Sequence, residues 1–313
     1  MIKLFFLRLF VFCLSFFFLL KLPGFFDYYA TNDQQRDINS LRCSTKHNNI
    51  ELLFLGSSYS YSSLNPIYFD SLGLKSYNLG ISGTGVYFTE LILDDYYDAV
   101  DIKPQFIIID ISAFAFCDKS DNFQSYPLHR YLNKPISHEA LLRKYPENVP
   151  NYLELLVKSS KKGLSCLVNT NRDLNDSLCI HRGFYVDYSV IDQKILREDS
   201  IKFKFLKDAK FVKKKLFKLT RLAKKYQERG CKIFWFEAPT QQLKYFFNEH
   251  YINDYEMALT ALRKNGDLIE LNIKELLFER DDFRNTDHLN TIGAKKISMA
   301  IANQLSIYLN PIR

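Results

Sequence analysis

The chain has 313 residues, 47% apolar and 25% charged, and its 42 Lys+Arg against 35 Asp+Glu give a net charge of +7. These proportions exclude a disordered, collagen-like or polytopic membrane protein, and the length allows one large domain or two small ones with a sizeable core. A positive balance hints at an acidic partner but does not say where the charge sits.

The N-terminal segment differs from the rest. Leu4 to Leu20 is almost wholly apolar, interrupted by Arg8, and nine of the 27 Phe lie before Asp27. Lys3 and Arg8 form a positive start, and Leu9 to Leu20 is an apolar run of 12. That is the length of a signal-peptide core, and a full span needs about 20 residues. Arg8 can snorkel, and Leu22 to Phe26 extends the apolar stretch past Lys21. No small-x-small cleavage site follows, so residues 1–27 are expected to form an uncleaved signal anchor, a transmembrane helix. The basic flank would leave the following domain on the extracytoplasmic side. Residues 28–48 are polar and predict a linker that lifts the domain off the membrane.

From residue 49 a regular pattern begins. Short apolar runs predict strands at Ile50–Leu55, Ser76–Leu79, Phe106–Ile111, Lys232–Phe236 and, more weakly, Leu268–Leu271. Helical spacing falls between most of them, at Val86–Val100 for example, and Thr291–Leu309 reads as a C-terminal helix. Strands apolar on both faces, alternating with helices, predict an α/β domain over 49–313: three αβα layers around a parallel sheet of roughly five strands. Its site should lie at the carboxyl ends of the strands. Residues 117–200 break the alternation with four of the nine prolines. They read as an insertion, a lid or a surface excursion, with helices at Ser137–Lys144 and Tyr152–Lys161. Lys202 to Lys232 holds 13 Lys+Arg and two acids, so it carries the excess charge and the remainder is mildly acidic. Phe205, Ala209, Val212, Leu216, Leu219, Ala223 and Tyr226 recur there at helical spacing. That predicts one amphipathic helix, packed on the sheet, with a basic outer face turned to solvent or to anionic lipid headgroups or glycan. Of six cysteines, Cys166 and Cys179 could pair within one loop, and Cys231 reads as a buried free thiol. No Cys or His spacing suggests a metal site.

Four polar clusters follow strands or precede the last helix: Gly56-Ser57-Ser58, Asn78-Leu79-Gly80-Ile81-Ser82-Gly83, Asp110-Ile111-Ser112 and Asn285-Thr286-Asp287-His288. A serine on a Gly-led turn after a strand is held near a helix N-terminus, in reach of backbone N–H groups. It needs a base. His288 is the best of the six His, with Asn285 and Asp287 near enough to orient it. The Gly80 to Gly83 turn can offer oxyanion donors.

These blocks, in this order, resemble the SGNH (GDSL-like) hydrolase superfamily, and within it the membrane-anchored cell-envelope O-acetyltransferases and esterases. The resemblance covers roughly Ile50–Ser112 and Lys232–Leu309. Gly56-Ser57-Ser58 is similar to the first block and implies Ser58 as nucleophile, with Ser57 beside it in an oxyanion or substrate-binding role. Asn78-x-Gly80-x-Ser82-Gly83 is similar to the second, and implies an oxyanion or substrate-binding role for Asn78, Gly80 and Gly83. His288-Leu289-Asn290-x-x-Gly293 is similar to the last and implies His288 as base. The chain departs from the pattern in three ways, the first being that Gly-Ser-Ser offers two serines, so that Ser57 is a second candidate nucleophile. The family's Asp three residues before the His is Asn285, with Asp287 and Asp282 as other candidates. The Gly-x-Asn-Asp block after the third strand is replaced by Ile109-Asp110-Ile111-Ser112.

The resemblance implies an esterase or O-acyltransferase acting on an envelope or exported glycan. It needs no metal or organic cofactor, and a membrane-bound acyl-donor protein is a conceivable partner. A catalytically degenerate scaffold in a polysaccharide assembly and a lipid-active esterase are the alternatives. Nucleic acid is not expected as a partner of an exported domain.

Overall fold

The structure, a computed structural model, describes residues 49–121, 181–240 and 246–309, and ahead of them Arg36, Asp37, Ser40, Leu41, Cys43, Ser44 and His47. The expected anchor over 1–27 and the two helices expected at Ser137–Lys144 and Tyr152–Lys161 lie outside the described residues. Among the described residues, no helix is long and apolar enough to cross a membrane.

Five strands form one sheet: β1 (Leu52–Leu55), β2 (Ser76–Asn78), β3 (Phe106–Asp110), β4 (Lys232–Phe236) and β5 (Ile269–Glu270). Their order is β2-β1-β3-β4-β5, and every pair is parallel. The helices are α1 (Ser58–Ser63), α2 (Val86–Ala99), α3 (Gln193–Lys202), α4 (Lys213–Gln227), α5 (Glu249–Arg263) and α6 (Thr291–Leu309).

The central strands are apolar at every position because both faces of the sheet are covered. Alternate residues still point to opposite sides. Leu53, Leu55, Ile107, Ile109, Ile233 and Trp235 pack with residues of α2, α4 and α5. Leu52, Phe54, Phe106, Ile108, Phe234 and Phe236 pack with Ile297, Ile301 and Leu305 of α6. Each such side chain, fully buried, contributes about 1.5–3 kcal/mol to folding. The three-layer α/β expectation therefore holds. β1 leads outward to β2, and the chain then returns past β1 to β3. At such a reversal, the crevice above the carboxyl ends of the two strands is where open α/β sheets bind ligands.

Three expectations change. The seven described residues of the expected linker belong to the domain rather than lifting it away. Arg36 donates to Gly80 O at 2.8 Å and to Gly183 O at 2.5 Å, and its guanidinium lies 3.5 Å from the Tyr61 ring centre. Asp37 accepts from Ser82 N at 3.1 Å, and Tyr77 donates to Ser40 O at 2.9 Å. The segment's polarity satisfies buried backbone groups at the end of β2, in the turn after it and at Gly183.

The basic helix is shorter than expected. Phe203–Asp208 is a 3-10 turn, and α4 proper begins at Lys213. In between, Phe211 bridges antiparallel to Cys117, and Val212 N bonds Phe116 O at 2.9 Å. That strand-like pairing takes backbone groups a continuous helix would need.

The ends of the insertion are built into the domain. Asn78 N bonds Arg182 O, Tyr185 N bonds Tyr61 O and Ile191 N bonds Phe283 O. A Cβ at Gly183 would lie 1.9 Å from Asn78 O, so only glycine allows this approach. Cys117 and Cys231 are buried free thiols, and Cys43 is disulfide-bonded.

Candidate active site

The turn that carries Ser57 and Ser58 is fixed from below. β1 ends at Leu55, and Gly56 turns the chain at φ +128°, where an added Cβ would meet Asp110 Cβ at 2.8 Å. Ser57 caps α1 by accepting from Tyr59 N at 3.2 Å, and its hydroxyl donates to Asp110 Oδ2 at 3.0 Å. Asp110 also accepts from Ser112 N at 3.0 Å and from the Ser112 hydroxyl at 3.3 Å. Burial raises its carboxyl to about 6 against the pull of these bonds. With Ser57 committed downward, Ser58 opens α1 half-buried at the crevice.

His288 arrives on the loop before α6. Phe283 bridges Leu289, and Arg284 N bonds His288 O, which closes the loop at its neck. Asp199 of α3 accepts from Thr286 N at 3.0 Å and from its hydroxyl at 2.7 Å. Asn285 Oδ1 accepts from His288 N at 2.7 Å. His288 Nε2 lies 2.7 Å from Ser58 Oγ. On the far side of the ring, Nδ1 is 3.2 Å from Asn285 Oδ1 and 2.9 Å from Asp287 Oδ1. Neither oxygen can donate, so the ring proton belongs on Nδ1, and the Nε2 lone pair faces the Ser58 hydroxyl. In that tautomer the arrangement can take a proton from the Ser58 hydroxyl.

Asp287 and Asn285 divide the orienting role. Asn285 is aligned as the hydrogen-bond acceptor. The Asp287 carboxylate is nearer, at 2.9 Å, and forms an ion pair with the ring when the ring is protonated. Tyr59 was not anticipated from the sequence. Its ring stacks on His288 with centroids 5.1 Å apart, and its hydroxyl donates to Asp287 Oδ2 at 3.4 Å. Burial, reinforced by Asp287, holds its phenol well above its usual range, so it stays a neutral donor. Only its place next to Ser58 could have flagged it. Asp282 is not part of the constellation: it accepts from Lys296 Nζ at 2.7 Å and from Glu279 N at 2.8 Å.

The second block mostly builds the frame. Asn78 donates to Ser60 O and Leu64 O at 3.0 and 2.8 Å, and accepts from Gly80 N at 2.9 Å. A Cβ at Gly80 would sit 2.8 Å from Ser57 O. The expected substrate-facing roles of Asn78, Gly80 and Ser57 therefore give way to holding α1 against the turn, because their polar groups are already spent. Gly83 differs: it has φ +69°, and neither its N–H nor that of Ser58 has an acceptor among the described residues. Among the described residues, no three His, Cys, Asp or Glu side chains group as a metal ligand set.

No protein-family model matches the chain, and no curated protein matches it.

Proposed function

We propose that the chain is an SGNH-like serine esterase or O-acyltransferase, membrane-anchored, with its domain on the extracytoplasmic side and an envelope or exported glycan as substrate. The observation that carries the chemistry is the 2.7 Å contact between Ser58 Oγ and His288 Nε2, with Asn285 and Asp287 behind the ring. The disulfide at Cys43 supports an oxidising compartment. The class of substrate rests on the sequence resemblance.

In this reading the Ser58 oxygen attacks an acyl carbonyl carbon while its proton passes to His288 Nε2. The imidazolium is stabilised by Asp287 and held in line by Asn285. The backbone N–H groups of Ser58 and Gly83 stabilise the oxyanion. Collapse of the tetrahedral intermediate expels the alcohol, which takes the proton from Nε2. Water or a sugar hydroxyl then attacks the acyl-enzyme by the same route in reverse.

The test is fluorophosphonate labelling together with aryl acetate turnover. Labelling at Ser58 is expected. Ser58→Ala and His288→Ala should each lower kcat/KM by about a thousandfold or more, and Asp287→Asn by about a hundredfold with KM little changed. A second reading, a non-catalytic scaffold, is favoured by the absence of an Asn donor at Asp110-Ile111-Ser112. No labelling of correctly folded protein would establish it instead.

A further inference from the structure

We propose that the outer face of α4 is a docking surface for an anionic lipid bilayer. The helix buries Leu219, Leu222, Ala223 and Tyr226 against the sheet. Its opposite face carries Lys213, Lys214, Phe217, Arg221 and Lys224. At about 100° per residue these five fall in one stripe about 100° wide with Phe217 inside it. Phe217 is 62% exposed. The preceding 3-10 turn repeats the theme, with Phe205 49% exposed beside the exposed Lys204 and Lys207.

The charge on this face is not internally balanced. Lys218 and Lys225, on the flank toward α2, pair with Glu90 at 2.6 Å and Asp94 at 2.5 Å. Lys213, Lys214, Arg221 and Lys224 pair with no carboxylate among the described residues. Unpaired cations around an exposed hydrocarbon ring suit the headgroup region of an anionic membrane. There the ring leaves water and each cation gains from the negative surface potential. A phenylalanine ring offers an acidic polysaccharide no hydrogen bond, and a convex helix offers it no groove.

The way the chain joins the domain points to the same side. Leu41 and Cys43 lie in the same apolar layer as Leu219 and Leu222, so the chain reaches the sheet on the face that α4 covers. Docking there also bears on the site. Val212, just before α4, bonds Phe116, just beyond the end of β3. The first turn of α4 therefore lies at the rim of the sheet that carries Ser58, and a bilayer against α4 brings that rim to the headgroups. The docking itself does not depend on what Ser58 does.

The experiment uses the full chain reconstituted in nanodiscs of phosphatidylcholine alone or mixed with phosphatidylglycerol. Phe217→Trp supplies the probe, because the chain's single native Trp, Trp235, is fully buried. In the anionic discs the new indole should shift to the blue. Nitroxide lipids should quench it several-fold more than in neutral discs. Salt at about 1 M, where the Debye length falls to about 3 Å, should return it to the neutral-disc value, as should Lys213→Glu, Arg221→Glu and Lys224→Glu combined. These are solvent-facing changes, and an unaltered thermal midpoint serves as the folding control. Should the triple variant fail to fold, the salt arm still decides. Equal quenching in both kinds of disc overturns the proposal. So does quenching indifferent to salt, or a response to a soluble acidic polysaccharide without one to anionic discs.

Discussion

Asp287 stands next to His288 in the chain and still reaches the back of its ring, because Asn285 bends the backbone between them. Its Oδ1 takes the His288 backbone N–H, which curls residues 285–288 into a tight turn with both side chains around Nδ1. His288 Nδ1 thus faces a neutral acceptor from three residues before it and a charge from the residue next to it. Asp110 shows a different use of a carboxylate. Burial raises it from 3.8 to about 6, so the folded chain binds its proton more tightly than the unfolded chain does. Such a group subtracts stability as pH rises from about 4 to about 6, and the full cost persists above that window. Asp37, buried against Arg36 and raised to about 6, acts with the same sign. Asp110→Asn should therefore flatten part of the decline. Relative to wild type, the variant should gain up to about 3 kcal/mol between pH 4 and pH 7 in urea denaturation. An unchanged difference across that range would remove Asp110 as the source.

At the scale of elements, α2 has no side chain of its own to cap it, since its N-cap is Gly85. The cap comes from Asp121, whose Oδ1 accepts from Gly85 N at 2.7 Å and Phe88 N at 2.9 Å. A Cβ on Gly85 would lie 2.6 Å from that carboxylate, which explains the glycine. Asp121 is in turn neutralised by Lys215 of α4 at 2.8 Å, both side chains 3% exposed. Lys215 also donates to Cys117 O and to the Ser120 hydroxyl. One buried lysine thus ties α4, the turn after β3 and the start of α2 together. Lys215→Met leaves the Asp121 charge buried and unpaired, and should cost about 3–5 kcal/mol. Chemical denaturation reads this directly, and a loss under about 1 kcal/mol would mean that solvent reaches the carboxylate.

For the whole molecule, the consequence lies at residues 36–47. A linker can be removed without cost, whereas these residues supply Arg36 across Gly80 and Gly183 and the Ser40 carbonyl to Tyr77. A chain beginning at residue 49 should unfold at a clearly lower urea concentration than the full chain, because Tyr77 and the Gly80 and Gly183 carbonyls lose their buried partners. An equal midpoint would restore the linker reading. The same cut would loosen the 78–83 turn beside Ser58, so the aryl acetate turnover of the proposed function should fall with stability.

Strand identity, the parallel sheet and the pairing of Ser58 with His288 were legible in the sequence. β1, β3 and β4 are apolar at almost every position, and a chain can hide such runs only inside a covered parallel sheet. Thr291–Leu309 likewise carries a helical period over its whole length. Local pattern decided the strands and helices, because hydrophobic burial acts on each element separately. The pairing of Ser58 with His288, 230 residues apart, was implied only by the resemblance of the motifs. What only the folded chain decided depends on contacts between distant residues. Asp287 rather than Asp282 serves His288, since Lys296 and the Glu279 backbone N–H occupy Asp282. Ser57, Asn78 and Gly80 frame the site because Asp110 and Ser60 meet them in space. The basic run breaks before Lys213 because residues 116–118 pair with it. A polar side chain in a sequence carries no mark of the partner it will find. Hydrogen bonds and ion pairs are directional and short-ranged, so their assignment waits on tertiary geometry.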